Sequence, residues 1–355
     1  MAIKKTAADY LEYDESTGVY TKSAEQAVRD DVEKHHWMSV FKTILKDWRL
    51  YVMLIPMILV FLFWRYFPMY ELLECFKDSS KTSLDVAERA YVGFSHFKTL
   101  LFGSAVSIDV SQQFWRAFRN TFLLSFYGLC FGFPMPIILA LFFNEVRSNI
   151  ARSVFQVLTY LPKFMSTVVI TTLVTLLLKG SSSNTEVGIV SKFFVLLGLS
   201  PDIASRGLLN EPSVFRAIYE ISGIWETAGY SSIVFFAAII AVSPTSYEAA
   251  QIDGAGKMAQ MRYVVLPSIL STILIMLITR IGALLSVGYE KVYLLSTTGN
   301  RETAEVVSTF AERYGMSGSD KALASAAEMM NNVIGMLLVI GANTIAKRAS
   351  DVSLY

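Results

Sequence analysis

The sequence predicts an all-α integral membrane protein with about six transmembrane helices. Three observations carry that expectation. The first is composition: of 355 residues, 53% are hydrophobic and only 17% charged, and the mean hydropathy is +0.45. A soluble domain has about 25% charged residues, so this chain is too apolar to cover itself in water. The second is the length of its apolar runs, because a helix needs about 20 mostly apolar residues to cross the hydrocarbon core. The third is the way Lys and Arg fall between those runs.

Residues 1–49 are polar and mixed in charge. Within them Lys34–Arg49, "KHHWMSVFKTILKDWR", interleaves Lys and Trp with apolar residues at helical spacing. That pattern reads as an amphipathic helix on the membrane surface, with a solvated tail as the alternative. No cleavable signal peptide is visible. The spans follow as Tyr51–Tyr70, Thr121–Phe143, Val154–Leu178, Ile221–Val242, Val264–Val287 and Ala324–Ala346. Val187–Leu199 is too short to cross and reads as an interfacial or re-entrant segment. The chain thus divides into an arm (1–49), a transmembrane domain (50–348) and a short tail (349–355).

Orientation follows from the basic residues of short loops. Lys42, Lys46 and Arg49, then Arg147 and Arg152, then Lys347 and Arg348 fall on one side if there are six spans. Lys77, Lys81, Lys179 and Arg301 lie opposite, in longer loops that weigh less. Both termini and the loop between the fourth and fifth spans are therefore expected in the cytoplasm.

Several functions are excluded early. A net charge of +1 argues against nucleic acid. Cys75 and Cys130 suggest neither a disulfide framework nor a metal site. His35, His36 and His96 have no ligand-like spacing, and no cluster of His, Cys or paired carboxylates equips the chain as an enzyme.

Charged and aromatic residues inside the spans are the candidates for a substrate path, since intramembrane charge is expensive. Arg280 lies near the middle of the fifth span, to bond a substrate or to pair with Glu226 or Glu290. Trp225, Glu226 and Tyr230 combine aromatic faces with a carboxylate, a mixture that can meet apolar and hydrogen-bonding surface together. The alternative is an aromatic belt and an interfacial acid. Tyr289 and Glu290, followed by Lys291, close the fifth span on the external side, at an outer gate or as a solvated terminus. Arg65 is placed to snorkel, Gly128 and Gly132 to allow close helix contact, and Asn120-Thr121 to cap the second span.

The remaining landmark is Glu248–Pro267, "EAAQIDGAGKMAQMRYVVLP". Its "GAGK" is no phosphate loop, because Met258 stands where Ser or Thr must hold Mg²⁺ and Gln251 where the first glycine belongs. Pro244 favours a turn, Thr245 or Ser246 can cap a helix, and Gly254 and Gly256 permit a break after about two turns. A short small-faced helix turned at a glycine is a docking piece.

In this loop Glu248-Ala249-Ala250, Asp253-Gly254-Ala255 and Leu266-Pro267 stand in the register of the EAA loop of bacterial ABC importer permeases. Met261 replaces a usual aromatic and Val264 a usual Ile. "RYFPMYELLECFKD" (Arg65–Asp78), "FGFPMPIILALFFNEVR" (Phe131–Arg147), "LTYLPKFMSTVV" (Leu158–Val169) and "TRIGALLSVGYEKVYLL" (Thr279–Leu295) resemble the carbohydrate branch of these type I permeases, and within it those for oligosaccharide and polysaccharide uptake. The resemblance runs from about Tyr51 to the C-terminus.

The resemblance implies a division of labour. A second permease subunit, usually a different chain, shares the pathway in the bacterial plasma membrane among its lipids. Two copies of a cytoplasmic ATPase bind ATP and Mg²⁺, so this chain needs no cofactor of its own. An extracellular solute-binding protein delivers the sugar. Glu248, Ala249, Ala250, Asp253, Gly254, Ala255, Gly256, Leu266 and Pro267 carry the coupling to the ATPase, and the pathway opens alternately to either side. A permease for a non-sugar solute, a secondary transporter and a channel are the rival readings.

Overall fold

The predicted apolar runs fold as helices, because in hydrocarbon every backbone N–H must bond within its own segment. A computed structural model describes residues 11–14, 19–22, 48–79, 88–103, 108–180, 188–198, 205–316 and 320–349. Most of the expected surface helix, residues 34–47, and the tail beyond 349 lie outside them. The chain divides into two compact units, Met1–Glu71 and Leu72–Tyr355.

In the first unit, β1 (Leu11–Asp14) pairs antiparallel with β2 (Val19–Lys22), Leu11 opposite Lys22 and Asp14 opposite Val19. This hairpin is the described exception to an otherwise helical fold. Helix then starts at Trp48. It continues past Pro56 to Phe61, widens through Leu62–Tyr66, and tightens from Phe67 to Phe76, where it enters the second unit.

Four helical stretches are long and apolar enough to cross a bilayer: Trp48–Phe76, Asp109–Glu145, Pro212–Ile240 and Lys321–Thr344. Two bent pairs raise this to six if each pair is one span. Asn149–Phe164 meets Thr167–Leu178 at 99°, and Lys257–Ser268 meets Leu270–Gly282 at 63°. The third and fifth spans are therefore broken where straight runs were expected. Near the first break Pro162 lacks a donor, and Ser166 caps a new helix by accepting from the Val169 N–H. Before the second, Pro267 lacks one too.

The second unit packs around three apolar clusters. One joins Cys75, Leu100, Phe114, Phe310 and the start of the sixth span. That start is the weakest part of the run in hydropathy, yet Ala322, Ala324, Ala326 and Ala327 are buried there, since small side chains let Val307–Gly315 approach. A second cluster joins Leu124, Phe215, Val292 and Leu295. The third joins Ala140 and Phe235 to Val265 and Ile269, and so holds the return of the Glu248–Pro267 loop against the second and fourth spans. The fourth span is the central post, packed chiefly on Pro134–Glu145 and Asn149–Tyr160. Its Gly229 is pressed on the third span so closely that a Cβ there would lie 2.0 Å from the Thr159 carbonyl oxygen.

Candidate functional site: an exposed loop and a charged cavity

The helix after the fourth span begins two or three residues earlier than expected. Ser243, in extended conformation, precedes a helix Pro244–Ile252 with proline at its start, so Thr245 and Ser246 are helical residues and not caps. The helix stops at Asp253. Gly254 turns the chain with φ +78°, and its N–H bonds to the Gln251 carbonyl while that of Ala255 bonds to Ala250 at 2.8 Å. This left-handed terminus is what a glycine after Asp253 supplies. Gly256 then starts a second short helix, Lys257–Gln260, whose Gln260 side chain donates back to the Ala255 carbonyl.

Few side chains hold this loop. Tyr247 packs into the third cluster, and Lys257 forms an ion pair with Glu145 at the end of the second span. The remainder faces outward: Glu248, Ala249, Asp253, Gly254 and Gly256 are exposed. So are three large apolar residues, Ile252 at 87%, Met258 at 74% and Tyr263 at 71%. Leu266 and Pro267 lead into the broken fifth span, with Val265 and Ile269 buried beside them. The loop has a hydrogen-bonded backbone form and an exposed apolar surface.

The second feature is a cavity of about 670 Å³ between the second, fourth and fifth spans, the break of the third and the segment after the fifth. Its charged walls are Lys163, Glu220, Glu226, Arg280, Glu290 and Lys291. Gly128 and Gly132, expected at a helix contact, lie against the fourth span and also line the cavity wall. They flank a widened turn, Gly128–Gly132, and a Cβ on Gly128 would lie 3.1 Å from Arg280 Nη2 and 3.5 Å from Glu220 Oε2. Lys291 Nζ donates to Glu226 Oε2 at 3.0 Å, with both side chains nearly buried, and stands over the Tyr219 ring.

The proposed path residues therefore separate. Glu226, Arg280 and Glu290 line the cavity. Trp225 and Tyr230 project from other faces of the fourth span and are exposed, Tyr230 edge-on to Phe164. Tyr289 stacks on Tyr293, ring centroids 5.2 Å apart, beside a smaller pocket with Glu312 and Glu328. The carboxylate bond of Glu226 goes to Lys291 and not to Arg280. The fifth span ends at Gly282, and Tyr289–Leu295 is a separate helix. Sequence reading passed over Lys163, Tyr219 and Glu220. The signal was helical spacing: Glu220, Gly223 and Thr227 recur on one face of the fourth span.

Asn120 and Thr121 do not cap the second span, whose helix begins a further turn or more toward the N-terminus. They sit mid-helix and buried. Asn120 Nδ2 donates to the carbonyls of Glu302 (2.9 Å) and Glu305 (3.0 Å), and Arg216 donates to its Oδ1. The Val307 N–H donates to Thr121 Oγ1 at 3.0 Å. Glu305, whose side chain is 4% exposed, accepts from Arg116 at 3.1 Å and Arg313 at 2.7 Å. Asn300 donates to the carbonyls of Leu209 and Leu295. This lattice ties the second and fourth spans to the segment between the fifth and sixth.

Among the described residues no cluster of His, Cys, Asp or Glu could hold a metal. Helices of bilayer length around a charged cavity, with an exposed loop after the fourth span, are the features of a multi-pass membrane transport subunit. Residues 132–300 match the family described as "binding-protein-dependent transport system inner membrane component". The chain is 34% identical to Protein LplB of Bacillus subtilis (strain 168), over 90% of this chain and 94% of that protein. It is 35% identical to the polygalacturonan/rhamnogalacturonan transport system permease protein YteP of the same organism, over 86% of this chain and 90% of that one. A crystal structure of a bacterial ABC transporter involved in the import of the acidic polysaccharide alginate matches with TM-score 0.75 and 39% identity, over 87% of this chain and 99% of its counterpart. The chain belongs to this family of binding-protein-dependent importer permeases and has the ABC importer permease fold.

Proposed function

We propose that this chain is one of two permease subunits, most simply of a heterodimer, in an ATP-driven importer of the bacterial plasma membrane, and that it carries an oligosaccharide or a polysaccharide fragment. Two copies of a separate ATPase bind ATP and Mg²⁺ and catalyse hydrolysis; this chain catalyses nothing. A solute-binding protein outside delivers the sugar, and both termini are cytoplasmic. The sugar assignment is supported by the cargo for which YteP and the alginate transporter are named. A solute-binding partner is supported by the alginate transporter's structure with a pentasaccharide-bound periplasmic protein.

The observation that carries the coupling role is the exposed helix Pro244–Ile252 with its glycine turn. It buries none of its own residues, yet the chain that leaves it is fixed by Val265 and Ile269 in the spans. A surface with Ile252, Met258 and Tyr263 exposed fits a groove on another protein. Closure of the ATPase then moves a rigid lever, and the cavity opens alternately to either side. Arg280, Glu226 and Glu290 line that path.

Purification of the tagged chain from native membranes, with its companions identified by mass spectrometry, tests this directly. An ATPase, a second permease and a binding protein are expected. A chain that emerges alone and monodisperse overturns the reading.

A further inference from the structure

We propose that the face of the sixth span carrying Glu328 and Asn332 is a seam with the second permease subunit, and that the helix seated there presents Lys or Arg to Glu328. The inference rests on the importer reading and says which surface joins the two subunits. Glu328 is the eighth residue of the 24-residue span Lys321–Thr344, and Asn332 lies one turn further on. At about 1.5 Å per residue Glu328 stands about 10 Å along that span, inside a hydrocarbon core about 30 Å thick. Both side chains are exposed. Among the described residues neither forms a hydrogen bond or an ion pair. Acids at membrane depth are costly and almost always face protein or water rather than lipid. A polar partner therefore covers this face in the assembly.

The surroundings decide which partner that is. Glu328 opens on a notch of about 330 Å³ beside Val307–Gly315, lined also by the Glu312 carboxylate and the hydroxyls of Tyr289, Ser308 and Ser325. A lining so rich in acceptors suits an ammonium or a guanidinium, which only donate. Gly335 continues the face, since Glu328, Asn332 and Gly335 recur at i, i+4 and i+7. A Cβ on Gly335 would meet nothing within 4 Å, and a bare position of this kind lets the backbone of another helix come close. Depth excludes the ATPase and the solute-binding protein, which stand outside the bilayer. A second copy of this chain in a two-fold contact centred here would set Glu328 against Glu328, and like charges repel. A different membrane chain with a cation at this level meets every condition.

The test places a photoreactive benzoylphenylalanine at Asn332 in the otherwise unaltered, complete assembly. Light should join this chain to the second permease, at a peptide with Lys or Arg close to the adduct. Glu328→Lys should lower the amount of second permease recovered with the tagged chain by at least about tenfold, the worth of one charged hydrogen-bonding pair, and Glu328→Gln should lower it less. Replacing the partner's cation with Glu should restore recovery with Glu328→Lys, a rescue that a misfolded variant would not show. Adducts to lipid alone, to another position of this chain or to nothing overturn the inference, as does an adduct peptide without a cation. Undiminished recovery with Glu328→Lys, or a loss that the exchange of charges does not restore, overturns it too. In each of these cases a second permease that co-purifies with the unaltered chain leaves the importer reading standing. A chain that brings no second permease with it overturns both.

Discussion

Gly254, in the exposed loop, and Gly229, in the fourth span, both disfavour a side chain, but for opposite reasons. At Gly229 a Cβ would run into the Thr159 backbone, whereas at Gly254 it would meet nothing within 4 Å, and only the φ of +78° excludes other residues. The same contrast holds for charge. Glu305 is buried and bonded by Arg116 and Arg313, whereas Glu248 and Asp253 are exposed. A region whose task is internal satisfies its groups within the chain. The loop, in the coupling role proposed for it, keeps its apolar groups open and invests only in backbone form.

The contrast yields a ranked set of outcomes. The largest effect is expected at Glu305→Ala, which takes from Arg116 and Arg313 the buried carboxylate that both of them bond. Hydrogen bonds to a charged group are worth about 1.5–3 kcal/mol each, so the loss is read as a large fall in thermal stability in detergent; an unchanged melting point would show the lattice to be ornamental. Gly229→Ala should cost about 1–3 kcal/mol by overpacking, and truncation of Thr159, whose Cβ also lies close, should relieve little of it because the clash is with backbone.

Gly254→Leu should cost about 1–2 kcal/mol through the left-handed turn, a modest loss of stability, but it should uncouple ATP hydrolysis from uptake in reconstituted vesicles. Gly254→Asn, which tolerates that conformation, should retain more coupling. Normal transport by the leucine variant would remove the docking role. The smallest effect is expected at Lys257→Ala. Its ion pair with Glu145 is largely exposed, so about 0–1 kcal/mol is at stake, and high salt should shrink the difference between variant and parent.

The spans were legible because hydrocarbon demands long uninterrupted apolar helices: Tyr51–Tyr70 and Thr121–Phe143 lie inside observed helices of bilayer length, and Ile221–Val242 outruns the helix Pro212–Ile240 by two residues. The breaks were less so. Pro162 and Pro267 were visible, but a proline bends a helix only where the neighbours accept the bend, and that is a matter of packing. The loop was the most legible local feature, since Asp253-Gly254 encodes its own turn. The cavity was the least. Arg280, Glu226 and Glu290 stood out as charges in apolar runs, whereas Trp225 and Tyr230, chosen for their chemistry, point elsewhere by the angle of the helix. Glu220 and Lys163 join the cavity through spacing and through the break after Phe164.

What the sequence determined by itself is whatever depends on one segment and its solvent: the class of protein, the spans, and the helix and turn of the Glu248–Pro267 loop. Tertiary structure alone decided pairing. Lys291 and Glu226 are far apart in the chain, as are Asn120 and Glu302, and Arg116 and Glu305. Each of these bonds exists because helices packed on small residues such as Gly229 bring distant polar groups within about 3 Å. Where water is excluded, a polar group must take whatever partner that packing delivers.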